Sequence, residues 1–231
     1  MTDITNRLAN VKQRIAAAEQ RFGRTPGSVQ LLAVSKTKPV EDIRVLYNEG
    51  QQSFGENYVQ ELQQKYQALA EIEPEWHFIG PLQSNKTRQI ANVAEWVHSI
   101  DRFKLAQRLS EQRAESLSDL NICVQVNVSK EDSKSGVTFE DLPFLVENIL
   151  GLPRIRLRGL MTIPRKAEEF EQQRVPFRLL NQALNQLNQQ FSLALDTLSM
   201  GMSDDMEAAI AEGATIVRVG TDIFGARVNR P

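Results

Sequence analysis

The sequence predicts an α/β fold, a single closed (β/α)8 barrel of the TIM type preceded by one extra amino-terminal helix. Three observations predict it. Eight short, largely apolar runs, beginning near Leu31, Gln52, Trp76, Trp96, Ile122, Leu157, Leu195 and Thr215, alternate with segments of helical periodicity. The connections are short, and strict alternation of this kind makes the strands parallel and joins them by crossovers. No Pro/Gly-rich linker or shift in composition divides the 231 residues, so one domain over residues 1–231 is expected, with the extra helix in 1–23 and the barrel over 31–225. A doubly wound open sheet is the competing arrangement. Its first strand-to-helix turn would need glycine to admit a pyrophosphate, and Ser35-Lys36-Thr37-Lys38-Pro39 has none.

Residues 2–22 place Ile4, Leu8, Val11, Ile15 and Ala18 on one helical face, and Gly23 stops that helix. The run from Leu31 ends abruptly at Lys36. Pro39 opens the helix expected over 40–48, since a first helical turn has no use for the N–H that proline lacks. A strand at 52–55 leads into a helix over 56–70. Strands at 76–79 and 96–100 flank a helix over 86–95, and a helix over 102–116 follows. The strand at 122–128 is the clearest, being rich in β-branched residues, with a helix over 139–150 behind it. Strands at 157–163, 195–199 and 215–219 alternate with helices over 167–190 and 204–212, and 222–225 forms one short turn. The helix at 167–190 is rich in Asn and Gln, but Phe177, Leu180, Leu184 and Leu187 keep helical spacing, which reads as a solvated face over a buried stripe.

Composition narrows the function classes. With 41% apolar and 24% charged residues and a net charge of −2, the chain lacks the basic footprint of a nucleic-acid or acidic-membrane binder. The lone cysteine, Cys123, sits inside an apolar run; it permits no disulfide framework, implies a reducing compartment and reads as a small buried hydrophobe. No stretch approaches the ~20 apolar residues of a membrane span and no signal peptide is evident, so a soluble cytoplasmic protein is expected. His77 and His98 have no further histidine or cysteine to complete a metal set, so no metal is expected.

The chemistry collects at the carboxyl ends of the strands, the functional face of such a barrel. Lys36 ends the first strand, where partial burial lowers an amine's pKa and lets it attack an aldehyde; the alternative is a lysine that snorkels into solvent. After the seventh strand comes Ser199-Met200-Gly201-Met202-Ser203-Asp204, and after the eighth Gly220-Thr221-Asp222-Ile223-Phe224-Gly225. Each offers hydroxyls, a glycine and a helix start, the makings of a phosphate cup, although Ser203 or Asp204 could equally be an ordinary helix cap. Arg218 alternates with apolar neighbours on a buried strand and must meet either a ligand or a carboxylate such as Asp222 or Glu56. Asn57, His77 and Met161 lie at three other strand ends, and His77 also reads as a core histidine with one hydrogen bond. An aldehyde-reactive lysine, a phosphate cup and an arginine suggest pyridoxal 5′-phosphate. An aldolase acting on a phosphosugar is the competing chemistry.

Seven stretches, in this order, resemble the pyridoxal phosphate homeostasis protein family. They are Ala33-Val34-Ser35-Lys36-Thr37-Lys38-Pro39, Phe54-Gly55-Glu56-Asn57, His77-Phe78-Ile79-Gly80 with Leu82-Gln83 and Asn85-Lys86, Lys134-Ser135-Gly136, Gly159-Leu160-Met161, Ser199-Met200-Gly201-Met202-Ser203, and Val217-Arg218-Val219-Gly220-Thr221 with Ile223-Phe224-Gly225. The match runs from Leu31 to Arg227. The resemblance implies a fold-type III barrel similar to the amino-terminal domain of bacterial alanine racemase, with pyridoxal 5′-phosphate joined to Lys36 as a Schiff base. It further implies that Arg218 faces the pyridine nitrogen, that Ser199, Gly220 and Thr221 hold the phosphate, and that Asn57 lines the ring. His77, Met161, Gly201, Met202 and Ser203 complete the expected cofactor-binding set. Members of the family are expected to buffer and deliver the cofactor to PLP-dependent apoenzymes, with no catalytic residues of their own; no long apolar helix face is left over for a partner, so a monomer is expected. A racemase-like enzyme is the alternative. It needs a second base, and only Tyr58 of the three tyrosines stands near the mouth.

Overall fold

The computed structural model describes residues 3–129 and 135–226, so Lys134 and Arg227 of the resemblance lie outside the described residues. Eight parallel strands close into a barrel in sequence order. The first half comprises α1 (Asp3–Arg21), β1 (Gln30–Val34), α2 (Val40–Asn48), β2 (Ser53–Glu56), α3 (Val59–Ala68), β3 (Glu75–Phe78), α4 (Thr87–Ala91) and β4 (Trp96–Ile100). The second comprises α5 (Phe103–Gln112), β5 (Leu120–Gln125), α6 (Leu142–Leu150), β6 (Ile155–Met161), α7 (Phe170–Phe191), β7 (Thr197–Ser199), α8 (Met206–Ala211), β8 (Ile216–Val219) and α9 (Thr221–Phe224). The expected alternation is present throughout, and β1 pairs with β8 from Gln30↔Ile216 to Ala33↔Val219 to close the cylinder.

Helix boundaries differ most where tertiary contacts override local pattern. Glu56, expected to open a helix, is instead the last residue of β2, opposite Phe78 of β3, and is fully buried. The helix expected over 86–95 shortens to α4, because the chain turns at Asn92 to enter β4. Pro39 stands one residue earlier than expected, as the N-cap of α2.

The core lies between the strands and their covering helices. Leu8, Val11 and Ile15 of α1 join Phe54, Trp76, Phe177 and Ile223 in one cluster, so the extra helix is part of the fold rather than an appendage. Among the described residues no helix is long and apolar enough to cross a membrane.

Gly159 of β6 shows why one motif glycine is needed. A Cβ there would lie 1.9 Å from the carbonyl oxygen of Thr197, inside the β6–β7 ladder. Gly159→Ala is expected to push the two strands apart and to cost about 1–3 kcal/mol or more, read as a lower urea midpoint.

Candidate functional site

The carboxyl-terminal mouth holds a cavity of about 470 Å³, within the range of small-molecule pockets, whose wall includes Lys36, Asn57, Met202, Ser203, Arg218, Gly220 and Thr221. Seven of the eleven expected site residues therefore meet in one space. Val34, Ile79, Lys166 and Asp205 also line it. Val34 and Ile79 fall within the quoted stretches without being assigned to the site, and nothing local marks Lys166 or Asp205.

Lys36 follows β1 on a turn that the rest of the barrel holds under tension. Thr37 has φ +63°, a conformation unfavourable for a β-branched residue. Its N–H donates to Glu61 Oε1 at 2.6 Å. That carboxylate also accepts from Lys65 Nζ at 2.7 Å, and Lys65 donates in turn to the Ser35 carbonyl at 2.7 Å and Glu56 Oε1 at 2.8 Å. Ser35 Oγ donates to the same Glu56 oxygen at 2.6 Å. A buried ion-pair cluster thus grips the backbone on both sides of Lys36. Burial pushes the Glu56 carboxyl up to about 7, against the pull of Lys65.

Lys38 is drawn away from the cavity. Its Nζ donates to the carbonyls of Phe224, Gly225 and Ala226 at 3.0–3.2 Å, which satisfies the end of α9.

Across the mouth, α1 braces the two expected phosphate turns from outside. Arg14 pairs with Asp222 at 2.5 Å and Glu207 at 2.9 Å, and donates to the Ser203 carbonyl at 3.1 Å. Asp222 is therefore spoken for, and Glu56 is held by Lys65. Neither is the carboxylate partner considered for Arg218.

Arg218 is 3% exposed, and its guanidinium donates to Ser199 Oγ and to the Thr162 carbonyl, both at 2.8 Å. Among the described residues it makes no ion pair. Burial lowers its pKa to about 10, partly offset by the more distant Asp205, so it stays charged at neutral pH.

Four expected residues stand behind the wall instead of on it. Ser199 is fully buried, its hydroxyl engaged by Arg218 and by His98 Nδ1 at 2.8 Å. His77 is also fully buried, hydrogen-bonded to His98 at 2.9 Å and to Glu75 at 3.1 Å. Met161 packs with Trp96 and Cys123 in the barrel interior. Gly201 has φ +93°, and a Cβ there would meet Ala209 at 2.5 Å, so it shapes the turn. Ser199, His77 and Met161 are buried at or beside the ends of short strands, while Gly201 lies against α8. Cys123 is buried, and that burial pushes its thiol up to about 12. Among the described residues no group of three or more His, Cys, Asp or Glu could hold a metal ion.

One polar atom in the wall lacks a protein partner: Asn57 Oδ1 is buried and makes no hydrogen bond. Gly80 lets the end of β3 approach Asn57, since a Cβ there would lie 2.1 Å from the Asn57 carbonyl. An unsatisfied buried acceptor, a buried guanidinium and two hydroxyl-bearing turns facing an amine fit a small molecule with an aldehyde, a donor, a ring acceptor and an anionic group.

The buried acid–base groups also set the response to pH. Burial alone would raise Glu75, but hydrogen bonds from His77, Ser53 and Trp96 outweigh it and hold the carboxyl down to about 2, against an ordinary 4.5. A depressed carboxyl contributes stability that is present above its unfolded value and lost as pH falls through its folded value. Burial lowers His77 and His98, which disfavours acid below their ordinary 6.5, while the raised Glu56 acts oppositely between 4.5 and about 7. The loss from Glu75 is therefore unopposed by Glu56 below pH 4.5. The urea midpoint is expected to fall steeply from there toward pH 2, and Glu75→Gln to flatten that limb.

Fold and site together define a ligand-binding barrel of the alanine racemase amino-terminal type, built around a mouth lysine. A family model described as alanine racemase, N-terminal domain, matches residues 7–228. The chain is 56% identical over 227 residues to the pyridoxal phosphate homeostasis protein of Pseudomonas aeruginosa, covering 98% of this chain and 97% of that one. It belongs to the pyridoxal phosphate homeostasis protein family. The structure of PipY from Synechococcus elongatus with PLP bound superposes with a TM-score of 0.84 at 37% identity, covering 96% of this chain and 100% of that one. The alanine racemase of Corynebacterium glutamicum shares the fold alone, with a TM-score of 0.68 at 17% identity over 95% of this chain and 62% of that one.

Proposed function

We propose that the chain binds pyridoxal 5′-phosphate at this mouth and serves its intracellular homeostasis, buffering and delivering the cofactor without turning over a substrate. The observation that carries the reading is the meeting of Lys36, Arg218, Gly220 and Thr221 around one cavity on neighbouring strands β1 and β8. When bound, the cofactor supplies an aldehyde that condenses reversibly with an amine and a ring that withdraws electrons.

Lys36 holds the aldehyde carbon covalently, on a turn fixed by Glu61 and Lys65. Ser203, Gly220 and Thr221 receive the phosphate, with Met202 beside them at the rim. Asn57 lines the ring and completes its orphan acceptor there. Arg218 faces the ring nitrogen and, being always a donor, keeps that nitrogen unprotonated. Ser199 is assigned to holding Arg218, because its hydroxyl is already engaged behind the wall. His77, Met161 and Gly201 support the site from beneath.

Tyr58 is 56% exposed and does not line the cavity, so it is not held where a second base would act. The buried lone cysteine fits a reducing compartment, and the reading places the protein in the cytoplasm as a monomer that hands the cofactor to PLP-dependent apoenzymes.

The test is an absorption spectrum of protein incubated with pyridoxal 5′-phosphate, before and after borohydride reduction, with peptide mass mapping. A visible band that reduction abolishes, with the label on Lys36, supports the reading. An unlabelled protein overturns it. Transfer of cofactor from loaded protein to an acceptor apoenzyme, faster than from free solution, supports delivery. No transfer confines the role to storage.

A further inference from the structure

The interior of this barrel contains an unbroken line of polar side chains that the cofactor pocket does not use directly. Glu75 begins β3 at the amino-terminal end of the cylinder. Its Oε2 meets His77 Nε2 at 3.1 Å, His77 Nδ1 meets His98 Nε2 at 2.9 Å, and His98 Nδ1 meets Ser199 Oγ at 2.8 Å. Ser199 Oγ then accepts from Arg218 Nη1 at 2.8 Å, near the carboxyl end of β8. Both imidazoles and Ser199 are fully buried, and Arg218 nearly so.

Chemistry at the two ends sets the direction of every bond between them. A carboxylate only accepts, so His77 carries its proton on Nε2 and donates it to Glu75. A neutral His77 then has a bare Nδ1, which must accept from His98 Nε2–H. His98 in turn has a bare Nδ1, which accepts the hydroxyl hydrogen of Ser199. From the other end, a guanidinium only donates, so the Ser199 oxygen accepts from Arg218. The two deductions meet at Ser199 without conflict, because one hydroxyl can accept and donate at once. Burial favours the neutral form of both rings.

The groups around the line keep this order. Ser53 Oγ at 2.6 Å, Gln30 Nε2 at 3.2 Å and Trp96 Nε1 at 3.2 Å also donate to Glu75, which fixes it as an acceptor. Trp96 stacks on His77 with centroids 5.4 Å apart and planes 4° from parallel, and Arg158 covers the Trp96 ring at 4.9 Å. Hydrogen bonds aligned in one sense polarise one another, so each donation strengthens the next.

We propose that Glu75 is a positioning residue for the cofactor: through His77, His98 and Ser199 it orients the Arg218 guanidinium, leaving the arginine's cavity-facing donors for the ring nitrogen. The inference rests on the reading that Arg218 meets that nitrogen, but the relay itself does not. A buried arginine with a carboxylate in direct contact would spend its donors on it. With the carboxylate at the opposite end of the cylinder, Arg218 keeps both its charge and its reach.

The test starts with 15N-histidine NMR on the intact wild-type protein, with and without pyridoxal 5′-phosphate. Both rings are expected as neutral Nε2–H tautomers at neutral pH. A protonated ring or an Nδ1–H tautomer in either form overturns the relay, and needs no variant to do so. Glu75→Leu removes the terminal acceptor. It is expected to give His98 a mixture of tautomers, to shift the visible band of bound cofactor, and to speed cofactor release about tenfold, the size of one lost hydrogen bond. Glu75→Gln, which can still accept from His77, restores most of the tautomer order. His77→Phe keeps the stack on Trp96 and cuts the line at another link, so it stands in should Glu75→Leu fail to fold. Unchanged cofactor spectra and release rates in both severed variants overturn the positioning role. Failure of wild type to take up cofactor would instead sink the functional reading, while the histidine signals still decide the relay.

Discussion

Lys36→Ala abolishes the borohydride-stable label and the visible band while leaving the unfolding midpoint close to wild type. The covalent link is the largest single contribution to holding an aldehyde cofactor, and among the described residues no other lysine at the mouth is placed to take it over. Lys38 has its three hydrogens on the carbonyls that end α9. Lys166, the other lysine lining the cavity, is tied to Asp204 at 2.9 Å on the exposed rim. Both absorbance and label are therefore expected to disappear. A persistent label on Lys166 would show that the mouth holds a second reactive amine. The fold should survive, since Lys36 is only partly buried and the turn around it is held by other groups.

Lys65→Met has the largest expected effect on stability. Lys65 is 4% exposed and sits between Glu56, whose side chain is fully buried, and Glu61, one-fifth exposed. Removing a buried cation leaves its carboxylates uncompensated, a loss of about 3–5 kcal/mol. A urea titration reads it directly. Adding Glu56→Gln should recover part of the loss, because the neutral amide no longer needs a counter-charge. Recovery would assign the cost to stranded charge, and no recovery would assign it to packing of the lysine stem. The same variant should weaken cofactor retention, since Glu61 loses the partner that keeps it on the strained Thr37 amide.

These two lysines illustrate how much the sequence could disclose. Lys36 was legible because a strand end, a following proline and the fold's functional face are all local or topological facts. The turns after β7 and β8 that line the cavity were legible for the same reason, as glycine and hydroxyls recur there. Lys65 was not, because its partners come from the end of β2 and from its own helix, and only the closed barrel brings Ser35 over it. Glu56 reads as a helix-opening acid in the sequence, and its burial opposite Phe78 appears only once β2 and β3 pair. Ser199 was expected among the phosphate contacts, and it stands behind the cavity wall between His98 and Arg218. Its residue type announces a hydroxyl, whereas its orientation depends on His98 and Arg218, 101 and 19 residues away. His98 looked uninformative for the same reason.

The extra helix was legible as an element but not as a participant. Its apolar stripe predicted burial, which the core cluster of Leu8, Val11 and Ile15 bears out. Arg14, on its polar face, gave no sign that it would reach Ser203, Glu207 and Asp222 at once.

The cylinder is closed where its first strand meets its last, and the pocket straddles that join. The amine belongs to one lip and Gly220 and Thr221 to the other, so a molecule bound to both would act as a staple across that join. Loading would then stabilise the closed ring by mass action, in proportion to the logarithm of free ligand.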